Sequence, residues 1–181
     1  MEILNVEIKA RCTQQDAIRT LLKERNANFK GTDHQIDTYF NVPNGRLKLR
    51  EGSIENNLIH YQRSNTAGPK QSDVLLYKSN PESTLKALLT KANGVLTVVD
   101  KQREIYVIDN VKFHIDTVQQ LGAFMEIEAI DTDGSRSREQ LQEQCEHYLE
   151  LFGIATSDLV AVSYSDMLLA LTFGTTQAAK L

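Results

Sequence analysis

The stretch LNVEIKAR, residues 4–11, alternates strictly between apolar and polar side chains. Val6, Ile8 and Ala10 share one side of an extended chain. The other side carries Asn5, Glu7, Lys9 and Arg11. A period of two is typical of a β-strand with one buried face. Because acid and base lie so close together on the polar side, that side faces either bulk water or an enclosed ligand.

The same pattern recurs along the chain as charged residues at i and i+2, with an apolar residue between them except at Gln102. It is found at Lys48 and Arg50, Lys101 and Arg103, His114 and Asp116, and Glu126 and Glu128. Turn signals at 109–110 and 121–122 join the last three strands into an antiparallel meander. In all, the patterns predict strands over about 2–11, 34–41, 46–51, 57–63, 74–78, 95–108, 111–118 and 123–130. Apolar residues at helical spacing predict helices over about 13–25, 81–93, 135–152 and 163–171.

Length and composition limit the class of protein. A chain of 181 residues fits a single domain, which we place at residues 1–171, with 172–181 as a C-terminal tail. The net charge of −4 argues against a nucleic-acid-binding surface. No apolar run reaches the roughly 18 residues needed to span a membrane, and the first residues do not resemble a signal peptide. The two cysteines lie far apart, so we predict a cytoplasmic protein with structural cysteines.

Two architectures fit the strand pattern. In the first, an open antiparallel sheet has a wet polar face and helices on its apolar face. In the second, eight strands close into a barrel whose charges line a tunnel and whose helices pack outside. The number of predicted strands and the density of Arg and Lys on some strands and of carboxylates on others favour the barrel. We therefore predict an α+β protein built on a closed eight-stranded antiparallel barrel with a charged interior.

Enclosure of these charges would have a chemical consequence. Cations that share one tunnel would repel each other by about 4 kcal/mol per close pair at intermediate dielectric. Such a site favours a polyanion, since Arg and Lys are the usual phosphate ligands. A carboxylate cluster favours a hard divalent cation with oxygen ligands, Mg²⁺ or Mn²⁺. Together they are typical of phosphoryl or nucleotidyl transfer.

Six short segments in order resemble the CYTH superfamily, the triphosphate tunnel metalloenzymes, and within it the class IV adenylyl cyclase branch. They are Asn5-Val6-Glu7-Ile8-Lys9, Asp37-Thr38-Tyr39-Phe40, Leu47 to Glu51, Lys101-Gln102-Arg103, His114 to Gly122, and Glu126-Ile127-Glu128. The closing Ser-Tyr-Ser-Asp-Met-Leu-Leu, 163–169, is also similar to the end of that family.

The resemblance implies a tunnel that binds a triphosphate and carries out metal-assisted chemistry at one phosphorus. Substrate phosphates would be held by Lys9, Lys48, Arg50, Arg63, Lys101 and Arg103. Of these, Lys9, Arg50 and Arg103 would be catalytic. The metal, Mg²⁺ or Mn²⁺, would be held by Glu7, Asp116, Glu126 and Glu128. For Asp37 and His114, two roles fit the sequence equally well: a structural hydrogen bond and a function in the site.

Asn5 departs from the family pattern, which begins Glu-x-Glu-x-Lys. An amide oxygen can coordinate a metal but brings no charge. Three functions therefore stay open. The chain could convert ATP to cyclic AMP and pyrophosphate, our first expectation. It could instead hydrolyse inorganic triphosphate, thiamine triphosphate or a nucleotide, or bind a triphosphate without acting on it. We expect a small-molecule triphosphate as partner, neither nucleic acid nor membrane, and a homodimer is compatible with the sequence.

Overall fold

The computed structural model describes residues 4–63 and 69–178, without the side chains of 63, 70–73 and 173–178. The strands are β1 (Leu4–Arg11), β2 (Asn28–Phe40), β3 (Arg46–Glu51), β4 (Asn57–Arg63), β5 (Lys70–Lys78), β6 (Val95–Ile108), β7 (Val111–Val118) and β8 (Gly122–Asp131). The α-helices are α1 (Gln15–Glu24), α2 (Leu85–Asn93), α3 (Arg138–Leu151) and α4 (Tyr164–Ala178). Among these helices, none is both long enough and apolar enough to cross a membrane.

The strands form one antiparallel sheet that closes into a barrel in the order β1-β5-β4-β3-β2-β6-β7-β8. β1 pairs with β8 along its whole length, from Leu4↔Asp131 to Arg11↔Phe124. The joint between β1 and β5 is short and contains the pairs Val6↔Gln71 and Glu7↔Lys70. The predicted α+β fold with a closed antiparallel barrel is therefore confirmed, and among the described residues this joint contains the fewest paired residues.

The largest apolar core lies outside the barrel, because the alternation turns the apolar side of β1, β7 and β8 outward. Helices α1 and α3 cover that side. The buried cluster contains Val6, Ile8, Phe113, Ile115, Met125 and Ile127 from the strands and Ile18, Leu22, Leu141 and Cys145 from the helices. A smaller cluster joins Leu89 of α2 to Phe40 and Leu49 on the outer side of β2 and β3. Both cysteines are free and buried.

Helix α4 packs differently from the other three. Tyr164 and Leu168 are buried among the side chains Tyr39, Ile59, Tyr61, Val99, Val118 and Phe124. These strand residues have the same parity as the charged ones, so they point inward. Helix α4 therefore contributes to the barrel interior, where its aromatic and apolar side chains pack beside the charged cavity.

Several elements differ from the sequence prediction at their ends. β2 begins at Asn28 rather than near 34, because it pairs with the long β6 from Asn28↔Val107 onward. β5 begins at Lys70, within a segment predicted to be a loop, and it pairs with β4 and β1. Helix α3 begins after Ser137, whose side chain and that of Gln140 form a capping box. Helix α4 runs on to Ala178, past the predicted end near 171.

The outer core predicts a measurable difference between two leucines. Leu141 on α3 is fully buried and Leu88 on α2 is 61% exposed. We expect Leu141→Ala to lower the free energy of unfolding by about 2–5 kcal/mol, because it removes buried apolar surface and leaves a cavity. Leu88→Ala should cost less than about 1 kcal/mol. Urea denaturation followed by circular dichroism measures both, and equal losses would contradict the assignment of the core to the outside of the barrel.

Candidate functional site

The barrel encloses a cavity of about 170 Å³, bounded by inward-facing side chains of the strands and by Ser163 and Tyr164. The polar side of β1 faces this cavity at Asn5, Glu7 and Lys9, whereas Arg11 at the end of the strand is exposed. Among the described residues, the lining cations are Lys9, Lys48, Arg50, Lys101, Arg103 and Lys112. The lining carboxylates are Glu7, Asp37, Glu55, Glu126 and Glu128.

One fully buried carboxylate, Asp37 on β2, gathers three cations. Arg50 donates to it through Nε at 2.8 Å and Nη2 at 2.9 Å, and the Nζ atoms of Lys48 and Lys101 lie 3.0 and 2.9 Å from its Oδ2. Burial alone would raise the pKa of Asp37, but these cations hold that pKa well below its usual range. Burial lowers the pKa of Lys101 to about 7, and the neighbouring charges of Arg50 and Arg103 act in the same direction.

A second buried group is built around Arg103 on β6. Its Nε and Nη2 bind Asp116 on β7 at 2.7 and 2.5 Å, and Nη2 also lies 2.6 Å from Glu126. Tyr164 of α4 donates its hydroxyl to Asp116 Oδ2 at 2.8 Å. Both oxygens of Asp116 are therefore engaged. The Nη1 of Arg103 makes no hydrogen bond within the described part of the chain, although Arg103 lines the cavity.

Lys9 on β1 extends this group to the neighbouring strand, since it is the register partner of Glu126 on β8. Its Nζ lies 2.7 Å from Glu126 Oε1 and 4.0 Å from the centre of the Tyr164 ring, a cation–π contact. Glu126 is buried, which would raise its pKa, but Lys9 and Arg103 hold that pKa well below its usual range. His114 is also buried, and its Nδ1 lies 3.4 Å from Glu126 Oε2.

The acidic part of the cavity lies where β1 meets β8. Glu7 and Glu128 are directly opposite in the register, an arrangement that is unfavourable for two like charges. Asn5 donates from Nδ2 to Glu128 Oε1 at 2.6 Å, whereas its buried Oδ1 has no hydrogen-bond partner among the described residues. Two carboxylates and an amide oxygen are hard donors of the kind that Mg²⁺ or Mn²⁺ prefers. These residues therefore fit a divalent cation.

The described residues do not by themselves build a complete metal centre. No three side chains among their His, Cys, Asp and Glu are placed to hold an ion together. Mg²⁺ is often bound by one or two carboxylates together with substrate phosphates, and it keeps several waters. The acidic part of the cavity is compatible with a shared site of that kind.

A loop places one more carboxylate in the cavity. Buried Asp33 on β2 accepts hydrogen bonds from the backbone N–H groups of residues 53–55, at 2.6, 2.9 and 3.0 Å. The loop so fixed directs Glu55 to Arg50, where Oε2 lies 2.8 Å from Nη1, and to Lys112 at 3.9 Å. Despite burial, the charge of Arg50 lowers the pKa of Glu55 to about 2.

Most of the predicted site residues lie around this one cavity. Those with described side chains that line the cavity are Lys9, Lys48, Arg50, Lys101, Arg103, Glu7, Glu126 and Glu128. Asp116 lies behind Arg103, fully buried. The side chain of Arg63 lies outside the described residues. The roles assigned to these residues stay predictions.

Sequence reasoning assigned no role to Asp33, Glu55, Lys112 or Tyr164. It also expected the cations to repel one another, whereas each buried cation described above has a carboxylate within 3.0 Å. The alternation signalled which side chains point inward. It gave no sign of a loop or a terminal helix that reaches the same cavity.

Comparison with known proteins gives a family match: the CYTH domain model matches residues 4–164. No curated protein matches this chain. Among solved structures, the PH1012 protein from Pyrococcus horikoshii OT3 is 24% identical, with a TM-score of 0.74, over 92% of this chain and 98% of that one.

Two further solved structures are similar. A Vibrio parahaemolyticus protein named "putative adenylate cyclase" is 19% identical, with a TM-score of 0.74, over 91% of this chain and 97% of that one. HpAC1 from Hippeastrum, a "putative adenylyl cyclase" described with a dominant triphosphatase activity, is 16% identical, with a TM-score of 0.59, over 93% and 94%. At these identities the likeness establishes the fold.

The cation group around Asp37 predicts a strong dependence of stability on that carboxylate. Asp37→Asn would leave Lys48, Arg50 and Lys101 without their shared counter-charge. We expect a loss of about 3–5 kcal/mol in the free energy of unfolding at neutral pH. Asp100→Asn is the matched control, because Asp100 pairs with exposed His34 and should cost less than about 1 kcal/mol. Equal effects in urea denaturation would argue against Asp37 as the charge centre.

Proposed function

Because this chain belongs to the CYTH domain family, we propose that it is a metal-dependent enzyme that acts on a triphosphate bound inside the barrel. The observation that carries the proposal is the group at Asp37, in which three cations share one carboxylate. With Lys101 protonated, the three cations exceed Asp37 and the neighbouring Glu55 by one positive charge within the cavity. A bound phosphate chain would neutralise that excess.

Several donors remain for phosphate oxygens. The ammonium groups of Lys48 and Lys101 each have three N–H bonds, and Asp37 accepts one from each. A phosphate oxygen could take the place of Glu55 at Nη1 of Arg50, and Nη1 of Arg103 can donate directly. Lys9, Arg50 and Arg103 would stabilise charge that develops on the phosphates during the reaction. Arg63 is retained in the proposed phosphate-binding set.

The acidic side of the cavity would hold the divalent cation. Glu7, Glu128 and the free amide oxygen of Asn5 would provide ligands, with Glu126 nearby but already paired with Lys9 and Arg103. When bound, Mg²⁺ or Mn²⁺ would withdraw charge from the phosphate oxygens. We propose a different role for Asp116, predicted as a ligand. Because both its oxygens are engaged by Arg103 and Tyr164, it positions the guanidinium.

The first candidate reaction is conversion of ATP to cyclic AMP. The basic side chains would fix the phosphate chain so that the ribose 3′-oxygen attacks the α-phosphorus in line and pyrophosphate leaves. The motifs resemble the class IV adenylyl cyclases, and one similar structure is named as a putative adenylate cyclase. We further expect a cytoplasmic protein that requires neither nucleic acid nor membrane, either alone or as a homodimer.

Two alternatives each have a specific support. Hydrolysis of inorganic triphosphate, thiamine triphosphate or a nucleotide needs only a water placed against a phosphorus, and HpAC1 is described with a dominant triphosphatase activity. Binding without turnover is supported by Asn5, because its amide replaces a charged ligand and also occupies Glu128 Oε1. Loss of that charge should weaken metal binding more than phosphate binding.

The proposal predicts metal-dependent turnover of a triphosphate. Purified protein is incubated with Mg²⁺ or Mn²⁺ and, separately, with ATP, inorganic triphosphate and thiamine triphosphate, and products are resolved by chromatography. Cyclic AMP with pyrophosphate would identify a cyclase, and orthophosphate would identify a triphosphatase. Absence of turnover for all three compounds would refute the proposed enzyme, and absence of binding as well would refute the triphosphate site.

Asn5→Glu distinguishes an enzyme from a binding module in the same assay. A third carboxylate beside Glu7 and Glu128 should tighten Mn²⁺ binding, which isothermal titration measures independently of turnover. If the wild type binds triphosphate but is inactive and the variant gains activity, the binding module is supported. If the wild type is fast and the variant unchanged, the binding module is excluded.

The pKa of Lys101 predicts a pH dependence of binding. The protonated ammonium binds phosphate, and with a pKa of about 7 the free protein loses this charge as the pH rises through neutrality. We expect the Kd for inorganic triphosphate to rise by up to about tenfold per pH unit above 7. Lys101→Arg places a side chain that stays protonated among the same neighbours, which are Asp37, Lys48, Arg50 and Arg103. Its Kd should show only the pH dependence of the ligand, and a wild-type profile identical to that of the variant would contradict the role of Lys101.

A further inference from the structure

One part of the cavity wall is apolar. Ile59 and Tyr61 on β4 face Leu76 and Val74 on β5 in the pairs Ile59↔Leu76 and Tyr61↔Val74. All four side chains line the same cavity as the charged residues. They form a continuous apolar patch, which we call the β4–β5 wall.

Leu76 is the open end of this wall. Ile59 and Tyr61 are buried against Tyr164 and Leu168 of α4, with Val74 packed at their edge. Leu76 is outside that cluster and 53% exposed, although it lies on the cavity side of its strand. Its neighbour Leu75 has the opposite parity and is 73% exposed on the outer side. A half-exposed leucine that lines a charged cavity offers apolar contact to whatever enters.

The wall adjoins the cation group. Ile59 is paired with Lys48 in the β3–β4 register, and Lys48 Nζ lies 5.7 Å from the centre of the Tyr61 ring. On the open side, Asn57 is paired with Arg50 and lines the cavity with an amide that can donate and accept. A ligand with phosphates at Lys48 and Arg50 would therefore have its next chemical group against an apolar surface with a polar edge.

The chemistry of this surface separates two classes of triphosphate. Inorganic triphosphate presents only charged oxygens and gains nothing from an apolar wall. A nucleoside triphosphate carries a planar base with apolar faces and a hydrogen-bonding edge. Ligand sites commonly combine an apolar lining with a few polar groups that fix orientation. Base faces also stack readily on apolar and aromatic side chains.

We propose that the β4–β5 wall, with Leu76 at its open end and Asn57 at its edge, binds the base of a nucleoside triphosphate. This inference rests on the proposed function, because the phosphates must occupy the cation group. It makes a nucleoside triphosphate the preferred ligand over inorganic triphosphate, and it makes Leu76 a specificity-determining residue.

The test compares Leu76→Ser with Leu75→Ser. Both remove the same apolar side chain from exposed positions on one strand, so both variants should melt within a few degrees of the wild type. The Kd values of ATP and inorganic triphosphate are measured with Mg²⁺ on trace fluorescently labelled protein by thermophoresis. Because the ligand is in large excess over the protein, turnover consumes only a small fraction of it. We expect Leu76→Ser to raise the Kd of ATP about five- to tenfold, because apolar contact surface is lost, and to leave the Kd of inorganic triphosphate unchanged. Leu75→Ser should change neither.

The outcomes separate this inference from the proposed function. If Leu76→Ser leaves ATP binding unchanged, or weakens both ligands equally, the wall does not bind the base, while a triphosphate site stands. If the wild type binds inorganic triphosphate at least as tightly as ATP, the stated preference is wrong and the triphosphate site again stands. If the wild type binds neither compound, both the inference and the proposed function are overturned.

Discussion

The Asp37 carboxylate accepts hydrogen bonds from three cations inside the barrel, two of them on β3 and one on β6. Without it, Lys48, Arg50 and Lys101 would have to be buried close together with no counter-charge, which a folded protein tolerates only by losing protons. Even with Asp37 present, burial brings the pKa of Lys101 to about 7. An anionic ligand beside these three cations would favour the protonated form of Lys101.

This arrangement requires a barrel whose core lies outside it. A barrel that filled its interior with apolar side chains would need no helices around it, but here the alternation of β1, β7 and β8 sends Ile8, Phe113 and Ile127 outward. Helices α1 and α3 cover these outward-facing apolar side chains and so bury the apolar surface that an apolar interior would otherwise bury. Helix α4 then fills part of the interior with Tyr164 and Leu168, which confines the charged cavity and also orients Asp116. The main apolar core and the charged cavity therefore lie on opposite sides of the same strands.

The periodicity of the sequence predicted the strands and the inward direction of most site residues, because alternation assigns each strand residue to a face. The closed barrel was favoured over an open sheet by the number of strands and the density of their charges. The hairpin turns further fixed neighbours such as Arg103 and Asp116. The approach of Lys101 to Asp37 was not predictable in the same way, since it depends on β6 pairing with β2 although the two residues are 64 positions apart in the chain. Glu55 is placed by hydrogen bonds from its loop to Asp33, and Tyr164 by a terminal helix. Neither contact has a periodic signature.

The charges of the cavity are divided in space, and this division constrains any ligand. Lys48, Arg50 and Lys101 form the cationic part, Glu7 and Glu128 the acidic part, and Lys9, Arg103 and Glu126 lie between them as a paired group. A bare polyanion would match only the first part, and a bare cation only the second. A phosphate chain with a divalent cation at one side would match both. Asn5 lies at the acidic end, so under the proposed function its missing charge would act on the cation and leave the phosphate-binding end intact. The amide at this position would then affect turnover rather than recognition.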